Sequence, residues 1–127
     1  MLRRTFFRRF LSSLGVTVAA PAASATTSDV LIQESPIAGF QFHEGEAVWG
    51  SLAVDDELLL AREGDNAHDP SAVAIHHGQT KLGYVPRGEN SAIAQMMDRG
   101  ETLSARICRL NEDEDPWKRV RVTITLA

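Results

Sequence analysis

Apolar residues in the second half of this chain recur mainly at every second position, in short runs separated by turn-forming residues. The clearest case is the C-terminal end: Val120, Val122, Ile124 and Leu126 alternate with Arg119, Arg121, Thr123 and Thr125. A period of two puts one set of side chains on one face, which predicts a long half-buried strand. Ala72–His77 alternates in the same way, with Val73 and Ile75 sharing a face. Glu57–Arg62 holds the tight apolar run Leu58-Leu59-Leu60-Ala61 and reads as a central strand. Further strands are predicted over Lys81–Val85, stopped by Pro86, over Leu103–Leu110, and over Ile37–His43 with its aromatic Phe40 and Phe42.

Gly64–Ser71 is turn chemistry throughout, and Gly78 makes a second turn. Ser91–Arg99 is the clearest helix: Ile93, Met96 and Met97 form one face, Asn90 or Ser91 can cap its start, and Gly100 ends it. Val48, Trp49 and Leu52 lie at near-helical spacing, so Glu44–Leu52 is a short helix or a turn. Asn111–Pro116 is an acidic loop and Thr26–Ser35 a polar lead-in. Five or six strands with one or two short helices define a mostly β domain, a small barrel or strongly curved sheet.

The first 25 residues carry a different pattern. Arg3, Arg4, Arg8 and Arg9 precede a moderately apolar stretch, Leu11–Ala20, which ends in Pro21 and Ala23-Ser24-Ala25. That stretch is shorter than the ~20 residues a membrane-spanning helix needs. The order of charge, apolar run and small-x-small site resembles a secretory signal of the twin-arginine type. Cleavage is expected after Ala25, with export to the periplasm. The other reading is a short amphipathic helix on a cytoplasmic protein. The chain thus divides into a signal peptide (1–25), a linker (26–35) and one domain (36–127).

Composition narrows the functions. Hydrophobic residues make up 43% and charged residues 24%, a globular balance. With Cys108 as the only cysteine, neither an intramolecular disulfide nor a cysteine-rich zinc ribbon can form. In a strand, Cys108 reads as a small buried hydrophobe. Removing the four early arginines leaves nine basic residues against seventeen acidic ones, a balance of −8. Nonspecific affinity for nucleic acid comes mainly from neutralising phosphates, so any such contact has to be local.

The sequence contains neither a Gly-x-x-x-x-Gly-Lys-Ser/Thr loop nor a Gly-x-Ser-x-Gly elbow. No catalytic residue, cofactor or metal is therefore expected. His76 and His77 point to opposite faces of one strand, and His43 and His68 could join one of them only by tertiary proximity. Glu112–Asp115 is a solvated charge run without the spaced ligands and turn glycine of a calcium loop. Asn66 and Asp69 can bond the backbone of their own turn, and Gly83 permits close backbone approach before Tyr84.

These residues carry a resemblance. Ile37-Ala-Gly-Phe-Gln-Phe42, Arg62-Glu63, Asp65-Asn66, Asp69, Ala72-Val73-Ala74-Ile75 and Gly83-Tyr84-Val85-Pro86-Arg87 together resemble the HIRAN domain family, over Pro36 to Ala127. The resemblance implies an OB-like β-barrel with accessory helices. It also implies a nucleic-acid-binding module, since a eukaryotic member binds single-stranded DNA at a free 3′ end beside an ATPase motor that this chain lacks. Carried over by position, the contacting residues are Asn66, His68 and Asp69 of the turn, then Tyr84 and Arg87. Gln41 and Phe42 fall near a first-strand Arg-Tyr pair. His68 stands where that member has tyrosine, and Gln41 where it has arginine. Single-stranded DNA is the implied partner. The alternatives are an exported protein- or ligand-binding barrel with no role on DNA and, further off, a zinc-binding accessory domain.

Overall fold

The computed structural model describes residues 30–126. The signal-peptide reading of residues 1–25, and residues 26–29 of the linker, lie outside this range. Six strands form one antiparallel sheet: β1 (Val30–Pro36), β2 (Glu57–Glu63), β3 (Ala72–His77), β4 (Thr80–Tyr84), β5 (Leu103–Leu110) and β6 (Val120–Leu126), in spatial order β1-β6-β5-β2-β3-β4. Two short helices, α1 (Gly45–Val48) and α2 (Ser91–Asp98), complete a mostly β, OB-like fold.

The sheet curls because its pairings change partner and slip register. β2 pairs with β5 only through Glu57 and Leu58, then with β3 from Leu59 to Glu63. Register shifts fall between Leu31 and Gln33 of β1, between Ile75 and His76 of β3, and between Ile107 and Arg109 of β5. Such bulges raise the local twist and bend a sheet. The ladder nonetheless stays open, where a barrel was one of the two expectations. Its edges, β1 and β4, are stitched by a single bridge just beyond β1. Ala38 N–H donates to Tyr84 O at 2.8 Å, and Tyr84 N–H donates to Ala38 O at 2.9 Å. Gly83 makes this possible. A Cβ there would run into the Ala38 carbonyl and lie 2.6 Å from Ile37 Cγ2.

The core lies inside the curl. Val120, Val122 and Ile124 of β6 are fully buried, as their alternation predicts, together with Ile107, Val73, Ile75, Leu82 and Ile93. In β3 the small Ala72 and Ala74, on the other face, are buried as well.

Four expectations are corrected. Val30–Ser35 is not linker but most of β1, paired with β6 from Leu126 to Arg121. Its Gln33, Glu34 and Ser35 mask the strand pattern, and the buried Ser35 is satisfied by donating to Glu89 Oε1 at 2.8 Å. Ile37–His43 is not a strand. Gly39 takes φ +75°, and Phe40–Phe42 turns into a 3₁₀ helix that drops the Phe40 ring into the core. Asn90 occupies the N-cap position of α2 without making a side-chain cap there. Cys108 is half-buried, because it is the extra residue of the β5 bulge.

Candidate functional site

Three segments distant in sequence meet beside the β1–β4 stitch. They are the stretch from Ala38 to His43, the β2–β3 turn, and the chain leaving β4. Ala38, His43, Asn66, His68, Asp69, Ala72, Tyr84, Val85 and Arg87 enclose a cleft of about 390 Å³. That falls within the ~300–1,000 Å³ of small-ligand sites.

The turn is held by its own side chains. Asn66 Oδ1 accepts from the backbone N–H of His68 at 2.8 Å and of Asp69 at 3.2 Å. Asp69 Oδ1 accepts from Ser71 N–H at 2.9 Å, and its Oδ2 from Asn90 Nδ2 at 2.8 Å. These bonds hold the Asp69 carboxyl below the usual carboxylate range, the Ser71 N–H first and Asn90 next. The Asn90 side chain is thus committed to Asp69, which is why it does not cap α2. Arg62 clamps the same turn to α2. Its Nη1 donates to Ala72 O at 2.8 Å, its Nη2 to Pro70 O at 3.1 Å, and its Nε to Asp98 Oδ1 at 2.9 Å.

Tyr84 is positioned from behind by Glu63. The hydroxyl donates to Glu63 Oε1 at 2.8 Å and accepts from Lys81 Nζ at 3.0 Å. Lys81 Nζ also donates to Glu63 Oε2 at 2.8 Å, and Asn66 Nδ2 to Glu63 Oε1 at 3.1 Å. The Lys81 bond above all, then those of Tyr84 and Asn66, lower the Glu63 carboxyl to about 2. The His43 imidazole packs edge-on to the Tyr84 ring, centroids 5.5 Å apart at 67°.

Arg87 is exposed at the mouth. Of the nine lysines and arginines among the described residues, six form ion pairs with carboxylates; Arg87, Arg109 and Lys118 do not. Arg87 is the one of those three that lines the cleft. An apolar floor of Ala38, Ala72 and Val85, three ring side chains and one unpaired guanidinium suit a flat ring system joined to an anion.

Five of the seven residues singled out from sequence therefore meet in one cleft: Asn66, His68, Asp69, Tyr84 and Arg87. Gln41 and Phe42 do not line it. They lie exposed on the 3₁₀ turn just before His43, Phe42 being 79% accessible. Sequence reasoning missed His43 as a cleft residue, and Glu63 and Asn90 as the side chains that hold Tyr84 and Asp69. No local signal marked His43, whose place in the cleft depends on the 3₁₀ turn before it. No group of three His, Cys, Asp or Glu able to hold a metal occurs among the described residues.

This is an OB-like domain with a cleft at the seam of its sheet. The chain belongs to the HIRAN domain family, whose pattern matches residues 30–127. That span starts at β1, six residues before the boundary read from the sequence. Membership points to a nucleic-acid-binding module. Among solved structures, a protein from Lactobacillus plantarum is 26% identical with a TM-score of 0.67, over 78% of this chain and 95% of the other. The HIRAN domain of human HLTF is 14% identical with a TM-score of 0.60, over 77% of this chain and 78% of that one, a likeness of fold. No curated protein matches the chain in sequence.

Proposed function

We propose that the protein binds the end of a single-stranded nucleic acid, a 3′ end of DNA in the first instance, through the cleft at the β1–β4 seam. What carries this reading is the convergence of Tyr84, His68 and Arg87 from separate segments onto one apolar-floored pocket. The rings stack on a terminal base and Arg87 meets a phosphate. Asp69 has each oxygen engaged once, which leaves lone pairs to accept from a terminal hydroxyl. The volume suits about one nucleotide unit, so an end is favoured over an internal stretch. Phe42 offers a further stacking surface outside the cleft.

The proposal includes export. The basic, apolar and small-x-small order of residues 1–25 supports cleavage after Ala25 and a periplasmic location. N-terminal sequencing of the protein recovered from the periplasmic fraction should begin at Thr26; recovery only from the cytoplasm, starting at Met1, would overturn it.

The function is tested by fluorescence anisotropy with oligonucleotides ending in a 3′-hydroxyl or a 3′-phosphate. Binding that prefers the hydroxyl supports the reading. Equal and negligible affinity for both would remove it. A second reading, a protein- or ligand-binding domain with no role on DNA, is favoured by the −8 balance beyond the early arginines. It predicts that negligible outcome.

A further inference from the structure

We infer that His43 is a ligand-contacting residue of the cleft, and that its protonation makes binding of a phosphate-bearing strand stronger in acid. This rests on the nucleic-acid reading above and adds a residue and a regulation to it.

The geometry comes first. His43 is half-buried, lines the cleft, and packs edge-on to Tyr84 at 5.5 Å. Gly39 also lies close to the ring: a Cβ added there would sit 3.5 Å from His43 Cδ2. The ring therefore lies against both the strand-side tyrosine and the start of the 3₁₀ turn. His43 and Tyr84 line the same cleft, so a strand held there meets both side chains.

The charged groups around His43 are few. Lys81 and Glu63 lie behind Tyr84 on β4 and β2, Asp69 and His68 sit on the β2–β3 turn, and Arg87 stands at the mouth. Burial first, then the Lys81 charge, lower the His43 pKa, opposed by Glu63. At neutral pH the imidazole is therefore uncharged. Between pH 8 and 5 the neighbours keep their charge: Glu63 is lowered to about 2, Asp69 is also lowered and Lys81 is raised. His43 is the imidazole half-buried in the cleft, and the acid-dependent change is assigned to it.

The sign follows by linkage. A bound phosphate favours imidazolium, so it raises the His43 pKa and binding takes up a proton. Affinity then rises as pH falls through the bound-state pKa. The gain is about tenfold for each pKa unit by which the ligand raises it.

The test is anisotropy with a fluorescein-labelled, ten-residue deoxythymidine strand ending in a 3′-hydroxyl, at constant ionic strength from pH 8 to 5. It uses the wild type and the His43→Gln, His68→Gln and His76→Gln variants, with folding checked by circular dichroism at each pH. The expected result is affinity that rises by tenfold or more in the wild type and in His76→Gln, and a flat profile in His43→Gln. His43→Gln should still bind at pH 8. A flat wild-type profile with measurable binding overturns the role of His43 and leaves the nucleic-acid reading standing. A gain that survives in His43→Gln and vanishes in His68→Gln also overturns it. No binding at any pH overturns the nucleic-acid reading itself.

Discussion

Tyr84 and Glu63, 21 residues apart on strands that are not neighbours, are joined by one hydrogen bond of 2.8 Å from the phenol to the carboxylate. Lys81 closes a triangle with both, at 2.8 Å to Glu63 and 3.0 Å to Tyr84. The cleft wall is thereby set from behind, by groups that do not line it. Glu63→Gln removes the ion pair and keeps the shape. The Glu63 carboxyl is lowered from 4.5 to about 2, so its stabilisation is present above pH 4.5 and fades as pH falls toward 2. Both partners are part-exposed, so the cost at pH 7 should be about 1–2 kcal/mol. Urea unfolding at pH 7 and pH 2.5 should show the variant and the wild type drawing together in acid.

Gly83→Ala tests the seam. The new Cβ would strike the Ala38 carbonyl, so the bridge between β4 and the chain beyond β1 has to open. Overpacking of this kind costs about 1–3 kcal/mol. A lowered Tm, with faster amide exchange at Ala38 and Tyr84 than at the β5–β6 ladder, is the expected outcome.

Asn90 is 2% exposed and spends its amide on Asp69. Asn90→Ala strips one donor from the carboxylate and leaves a cavity, at about 1–3 kcal/mol. Asn90→Asp sets two carboxylates against each other and should cost more at pH 7 than at pH 3, where protonation relieves the repulsion. The ordering of the two variants by urea midpoint at both pH values checks this.

Arg87→Ala touches no ion pair among the described residues, so stability should change by less than about 0.5 kcal/mol. If Arg87 meets a phosphate, oligonucleotide affinity falls and the slope of log K against log salt drops by about 1. Titrations at three salt concentrations measure both.

Phe42→Ser separates folding from binding in the same manner. The ring is 79% exposed, so Tm should hold. Affinity for a ten-residue strand, longer than the cleft, should fall by about 1–3 kcal/mol for one lost base stack.

The strands β2 to β6 were legible because their buried residues show as a period of two or a tight apolar run. β1 was not, since Gln33, Glu34 and Ser35 look like linker until Glu89, 54 residues away from Ser35, supplies an acceptor for its hydroxyl. The 3₁₀ turn at Phe40–Phe42 was not legible either: Gly39 in its left-handed conformation bends a run whose aromatics read as strand.

What the sequence determined by itself was the inventory: a mostly β domain, an Asn66–Asp69 turn able to bond its own backbone, a Gly83 suited to close approach, and a family pattern over the whole of it. These are local properties of periodicity, turn chemistry and spacing. What only the tertiary structure decided was which of those residues face one another. Asn90 abandons its cap for Asp69, Glu63 fixes Tyr84, and His43 enters the cleft while Phe42 beside it stays in solvent. The reason is that these outcomes depend on the curl of the sheet and on the single bridge at Ala38 and Tyr84, which bring segments tens of residues apart into hydrogen-bond range.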